Sequence, residues 1–281
     1  MNNLLVFQSD FGLCDGAVSA MEGVSYGVNE NINIRHLTHE ITPFNIFEAS
    51  YRLYQTINYW PNGTVFVSVV DPGVGSDRMS VVAKTKTNQY VVTPNNGTLT
   101  HINKFIGIEE IRQIDESTNR LKGSKESYTF HGRDVYAYTG ARLSSGVITY
   151  EQVGPLVDKD KIVLLDLYGS HIQNDNVKGE IDILDVRFGS LWTSVTIEDF
   201  NKLGFKYKDY IKVEIFNDNK CVYSSNILYG HSFADVSIGS PVIYMNSVNH
   251  MAVAINQGNF ADAYRISVGS NWIIKFSKIW H

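Results

Sequence analysis

A chain of 281 residues with 24 basic and 29 acidic side chains carries a formal charge of -5, and hydrophobic residues make up 43% of it against 19% charged. That balance excludes a disordered chain, and without a Lys/Arg run it does not point to a nucleic-acid or anionic-membrane partner. No run reaches the roughly 18 uninterrupted apolar residues of a membrane span. The opening MNNLLVFQSDFG lacks the basic start and apolar stretch of an export signal, so a cytoplasmic setting is expected. Cys14 and Cys221 are then expected to be reduced and in or near the core, since a disulfide framework or zinc ribbon needs more thiols at closer spacing.

In chain order, Leu4 to Phe7 reads as a buried strand ending in Ser9-Asp10-Phe11-Gly12, followed by a helical pattern from Ala17 to Val28. Ile32 to Leu37 is a second strand. Thr42-Pro43 reads as an N-cap with proline at the first helical position, and the helix runs from Phe44 to Tyr59. Thr64 to Val70 is a β-branched run that ends at Asp71-Pro72-Gly73. This β-α-β-α-β order predicts a mostly parallel central sheet with right-handed crossovers. Met79 to Lys84 and Gln89 to Thr93 read as neighbouring strands, and Phe130 to Leu143 as a helix. From about Val177 the pattern changes to short alternating strands, which predicts a smaller all-β barrel domain. The expected fold is therefore α/β, with an N-terminal α/β domain at 1–168 and a C-terminal β-barrel at 176–281, joined through Leu167 to Asp175.

Asp10 and Asp71 each follow an apolar strand, where open parallel sheets bind ligands. Each could equally cap a helix or close an Asx turn. Asp71-Pro72-Gly73-Val74-Gly75-Ser76-Asp77-Arg78 is a glycine loop that matches neither a P-loop nor a dinucleotide fingerprint. Asp71 and Arg78 across it are either catalytic or a structural ion pair. His131, beside a glycine at a predicted helix start, can titrate near neutral pH or serve as a cap. His36 and His39 have no third ligand nearby, so a metal is not expected there. His231, His250 and His281 offer nothing specific.

Taken together, SDFG, ITPF, VVDPGVGSDR, TPNNGTLT, FHGRD, DVRFGSLWTSV, SFAD and AINQGN resemble the S-adenosylmethionine (SAM) hydroxide adenosyltransferase family, which is related to the SAM-dependent fluorinases and chlorinases. The resemblance runs nearly end to end. It implies a homotrimer, with SAM held between the N-terminal domain of one subunit and the C-terminal domain of the next. The implied reaction is attack of water or hydroxide on ribose C5′ of SAM, which releases adenosine and L-methionine and needs no metal or other cofactor. The family's Asp-Arg-His set falls on Asp71, Arg78 and His131. Asp10 matches the carboxylate on the ribose hydroxyls and Phe44 an aromatic wall against the sugar. Asp15, Asp185 and Ser247 match positions near the methionine end, Phe188 and Phe233 aromatic faces beside methionine and adenine, and Asn256 and Gln257 groups that read the adenine edge. Ile255 and Val248 stand where the halogenases have arginine, and Ala17 replaces a serine. The rival expectations are a chloride transferase and a nucleoside-binding protein without turnover.

Overall fold

The computed structural model describes residues 2–279; His281 and the end of the expected barrel domain lie outside the described residues. The chain divides into two compact units, Met1–Leu165 and Asp166–His281.

In the first unit, strands β1 (Leu4–Ser9), β2 (Asn33–Thr38), β3 (Val65–Val69), β4 (Ser80–Thr85), β5 (Tyr90–Pro94) and β6 (Ile108–Gln113) form a six-stranded sheet in the order β2-β1-β3-β5-β4-β6. The strands β2, β1, β3 and β5 run parallel, whereas β4 is antiparallel to both β5 and β6. The sheet is thus mixed, not mostly parallel as the sequence predicts. The cause is local: only Lys86 to Gln89 separate β4 from β5, and a parallel return needs a dozen or more residues.

Residues alternate between the two faces of this sheet, as strand geometry requires. Leu5, Phe7, Val65, Val67 and Val92 face one layer, which includes Met21 of helix α1 (Ala17–Val28) and Ala141 of helix α4 (Tyr138–Ser144). Val6, Phe66, Val81 and Val91 face the other, which includes Leu53 and Ile57 of α2 (Ile46–Ile57) and Ile102 of α3 (Thr100–Phe105). Both faces are covered, and this explains why β1 and β3 read as continuous apolar runs.

Helix α2 begins later than Thr42-Pro43 suggests. Its cap is Asn45, whose Oδ1 accepts from the Glu48 N–H at 3.0 Å, while Glu48 Oε2 accepts from the Thr42 N–H at 3.0 Å. Phe44 lies in the left-handed region at φ 68°, so no helix can start until the chain has passed it.

In the second unit, β8 (Asn176–Leu184), β9 (Leu191–Thr196), β10 (Tyr210–Asn217), β11 (Lys220–Tyr229), β12 (Pro241–Met245), β13 (His250–Ile255) and β14 (Trp272–Ser277) close into a barrel through a β14–β8 pairing, and β7 (Ser170–Gln173) adds to β8. Val177, Ile181, Ile211, Val213, Phe200 and Phe276 fill its core. Two short helices, α5 (Ile197–Lys202) and α6 (Phe260–Tyr264), interrupt the all-β reading. Both cysteines are free, but they are exposed and not in the core. Cys14 sits in the loop before α1 and Cys221 at the tip of the β10–β11 hairpin, where no second layer covers them.

Candidate active site

In the parallel register of β1 and β3, Ser9 pairs with Val69. Asp10 and Asp71 therefore leave the sheet close together at its carboxyl edge. From β1 the chain crosses to β2 on one side and then to β3 on the other, which makes this gap the topological switch point where open α/β sheets hold ligands. A cleft of about 300 Å³ opens there, lined by Asp10, Phe11, Pro43, Phe44, Val69, Asp71, Val74, Thr129, Phe130, His131 and Gly132.

Asp71 presents one wall of the cleft, and Arg78 holds it from behind. Arg78 Nε donates to Asp71 Oδ1 at 2.6 Å and Nη2 donates to Oδ2, a two-pronged charge-assisted pair. Arg78 is not among the lining residues. Its third nitrogen, Nη1, lies 3.4 Å from Ser80 Oγ, and its guanidinium sits over the Tyr136 ring. Ser80 Oγ lies 3.2 Å from the Tyr136 hydroxyl and donates at 3.4 Å to Glu116 Oε1. Burial raises the Tyr136 phenol well above its ordinary range, so it stays protonated.

His131 precedes a π-helical turn, Gly132–Ala137, that runs into α4. Such turns are uncommon and recur at functional sites. A Cβ on Gly132 would lie 3.2 Å from both the Phe11 and Phe130 rings, which meet edge to face, so a larger residue would require those rings to give by a few tenths of an ångström. His131 is 5% exposed. Its pKa is lowered from 6.5, first by burial and also by the charges of Arg120 and Arg78, while Glu116 and Asp71 oppose the shift. The ring is therefore neutral at pH 7. Asp71 and His131 line the same cleft, with Arg78 behind Asp71; among the described residues no hydrogen bond joins the imidazole to either.

Asp10 Oδ2 accepts from the backbone N–H of Phe44 at 2.9 Å. Phe44 is 71% exposed and left-handed, a costly conformation for a bulky residue and one that clusters at ligand sites. Behind Asp10 runs a chain of hydrogen bonds. Ser9 Oγ lies 2.7 Å from His39 Nδ1, His39 Nε2 lies 2.8 Å from His36 Nδ1, and His36 Nε2 lies 2.9 Å from Glu22 Oε1. The two histidines that the sequence presents as a pair thus brace the SDFG loop. Burial, with His36 adding to it, pushes His39 down to about 4.

The TPNNGTLT motif is scaffolding. Asn96 Nδ2 donates to the carbonyl of Val70, just before Asp71, and Asn95 bonds Lys161 and Val163.

In the second unit a cleft of about 580 Å³ is lined by Arg187, Phe188, Ser190, Phe233, Ile255, Asn256, Gln257, Gly258 and Asn259. Phe188 and Phe233 are both exposed. Asp185 Oδ1 accepts from the N–H groups of Arg187 and Phe188, which shapes the turn that presents Phe188. The N–H, the carbonyl and one Nδ2 hydrogen of Asn256 bond Ser240, Gly239 and Val236, which leaves Oδ1 and the second Nδ2 hydrogen for a ligand. Ser247, which the resemblance places near the methionine end, is not among the residues that line this cleft. It lies in the turn between β12 and β13, whereas Asn256 follows the opposite end of β13, where Ile255 pairs with Pro241. Asp15 is exposed and accepts from the Ala17 N–H at 2.9 Å, an Asx-type start to α1.

Four side chains that sequence reasoning passes over complete the polar cluster behind the first cleft: Ser80, Glu116, Arg120 and Tyr136. Arg120 Nη1 donates to Glu116 Oε2 at 2.7 Å and lies 3.5 Å from His131 Nε2. The i,i+4 spacing of Glu116 and Arg120 was the one signal available, and it reads as a solvent-facing pair.

An acidic, aromatic cleft at a switch point, with an imidazole and a clamped carboxylate on its walls, defines a site for a small cationic or polar ligand. Models of the SAM hydroxide adenosyltransferase N-terminal and C-terminal domains match residues 5–154 and 179–273. An (R)-S-adenosyl-L-methionine hydrolase of Methanocaldococcus jannaschii is 35% identical over 77% of this chain and 75% of its own length. A fluorinase of Actinoplanes sp. is 26% identical over 95% of this chain and 96% of its own. The crystal structure of an uncharacterized conserved protein from Thermotoga maritima superposes with a TM-score of 0.89 at 31% identity, covering 98% of this chain and 100% of that one. The chain belongs to the SAM hydroxide adenosyltransferase family.

Proposed function

We propose that the protein hydrolyses SAM at ribose C5′, giving adenosine and L-methionine. The observation that carries this reading is the cleft wall on which Asp71, clamped by Arg78, and neutral His131 stand together. Hydrolase relatives at 28–35% identity support it from the sequence side.

The chemistry needs little beyond placement. A sulfonium is already a good leaving group, so the protein has to align a water oxygen behind C5′ and limit competing solvent. The new C5′–O bond forms as C5′–S breaks, the bonding pair goes to sulfur, and the incoming oxygen loses one proton. Asp10 and Asp71 both line the first cleft, but Arg78 balances Asp71, so the field that favours a positively charged ligand comes chiefly from Asp10. Arg78, set behind Asp71, keeps that carboxylate's orientation fixed.

In the same reading Asp10 holds the ribose hydroxyls and Phe44 stands against the sugar. Phe188 and Phe233 stand beside methionine and adenine, Gln257 and the side-chain amide of Asn256 read the adenine edge, and Asp15 and Asp185 take the methionine end. A homotrimer is proposed on the family resemblance, and light scattering tests it. A cytoplasmic setting suits two free thiols. Among the described residues no helix is long and apolar enough to cross a membrane.

The test is chromatography of products after incubation with SAM, with and without chloride. Adenosine and methionine in both arms support hydrolysis. A 5′-chloro-5′-deoxyadenosine product would replace it with halide transfer, and SAM left intact beside measurable adenosine binding would leave a nucleoside-binding protein.

A further inference from the structure

We infer that Arg120 is a positioning residue that fixes His131 as the Nδ1–H tautomer, so that Nε2 is not free to take the proton of the attacking oxygen. The catalytic part of this inference rests on the hydrolase reading; the tautomer itself does not.

The argument starts from donor inventory. A guanidinium carries only N–H donors, has no acceptor and stays charged. Arg120 Nη1 lies 3.5 Å from His131 Nε2, so Nε2 has to present its lone pair. The contact is long, yet a proton on Nε2 would point at a cation, which electrostatics alone disfavours. The single proton of the neutral ring therefore sits on Nδ1.

Arg120 cannot swing aside to allow the other tautomer. Nη1 is held by Glu116 Oε2 at 2.7 Å, Nε by Ser124 Oγ at 3.2 Å, and Nη2 by the carbonyls of Ser124 at 3.2 Å and Ser127 at 2.6 Å. Its guanidinium also lies over the Tyr128 ring, and its side chain is 5% exposed. Such a set of bonds leaves one orientation.

The second observation lies on the opposite edge of the ring. His131 Nδ1 is buried and has no hydrogen-bond partner among the described residues. A buried donor without a partner is costly, and native proteins keep one where something else supplies the acceptor. With Nε2 committed to Arg120, the ring has no lone pair for a proton. The proton released by the incoming water then passes to Asp71 on the same cleft and from there to solvent, while the C5′–S pair stays on sulfur.

The experiment is two-bond ¹H–¹⁵N correlation on protein labelled at histidine, at pH 7.5, with His131 assigned by its loss in His131→Asn. Wild type should show the Nδ1–H pattern. Arg120→Met should move His131 toward Nε2–H, lower kcat by about 10- to 100-fold and change KM for SAM little. Arg120→Lys should recover part of both kcat and tautomer. A wild-type ring carrying its proton on Nε2, or on both nitrogens, would overturn the inference even if no Arg120 variant folds. So would an unchanged tautomer in Arg120→Met. A protein that keeps the Nδ1–H ring yet spares SAM would defeat the hydrolase reading alone.

Discussion

Arg78 grips both carboxylate oxygens of Asp71 from behind the cleft wall, with Nε 2.6 Å from Oδ1 and Nη2 on Oδ2. Both side chains are nearly buried, Arg78 at 12% and Asp71 at 5% exposure. The pair is therefore part of the fold as well as of the proposed site. Breaking one side leaves an uncompensated buried charge, whereas replacing both by apolar groups is often tolerated. Asp71→Ala should cost about 3 kcal/mol of stability and abolish SAM turnover. The double variant Asp71→Leu/Arg78→Met should recover most of the stability and none of the turnover. Urea unfolding and product chromatography on the same samples check this, and turnover in the double variant would reduce the pair to scaffolding.

Phe44 offers a separable test, because its backbone is strained and its ring is exposed. Phe44→Gly removes a left-handed side chain without emptying a core. Stability should hold or rise by up to about 1 kcal/mol, while KM for SAM rises several-fold as the proposed sugar wall is lost. A melting curve and a substrate titration read the two effects apart. A fall in stability with KM unchanged would assign Phe44 to the fold alone.

Gly132 stands beneath the Phe11–Phe130 pair, where a Cβ would come within 3.2 Å of both rings. Gly132→Ala should push that pair apart and displace His131 with it. The expected result is a loss of about 1–2 kcal/mol from overpacking together with a fall in kcat larger than any change in KM. Steady-state kinetics would contradict this if kcat stayed at the wild-type value.

The buried histidines set a pH dependence whose sign is fixed by their lowered pKa values. His39 is pushed down to about 4 by burial and by His36, and His131 is lowered chiefly by burial. The unfolded chain therefore binds more protons than the folded one between about pH 4 and the ordinary histidine value near 6.5. The His39 contribution is fully present above about 6.5 and is lost as pH falls toward 4, and His131 acts in the same direction. His39 alone accounts for a loss on the order of 3 kcal/mol over that window. Unfolding free energies at pH 7 and pH 4.5 should differ in that direction, and His39→Asn should flatten the difference. Equal stabilities in wild type would refute the assignment.

Much of this site was legible before any coordinates. Asp10 and Asp71 stand out because they end strands buried on both faces, whose sequences are unbroken apolar runs, and ligands gather at the ends of such strands. The neighbouring register of Ser9 and Val69 then puts the carboxylates together. Strand direction was less legible: β4 and β5 are plainly strands, but their antiparallel sense follows from the short link between them and not from their composition. Ser80, Glu116, Arg120 and Tyr136 were invisible because their common partner is a place in space. The Ser80–Tyr136 contact spans 56 positions, and no periodicity records it. Ser247, expected near the methionine end, lies in the turn between β12 and β13, at the end of β13 opposite Asn256.

The most direct measurement of the central claim is isotopic. Incubation with SAM in water enriched in oxygen-18, followed by mass spectrometry of the products, locates the attacking oxygen. The account predicts one heavy oxygen at the 5′ position of adenosine and none in methionine. Adenosine without the label, or a sulfur-bearing nucleoside in its place, would contradict it.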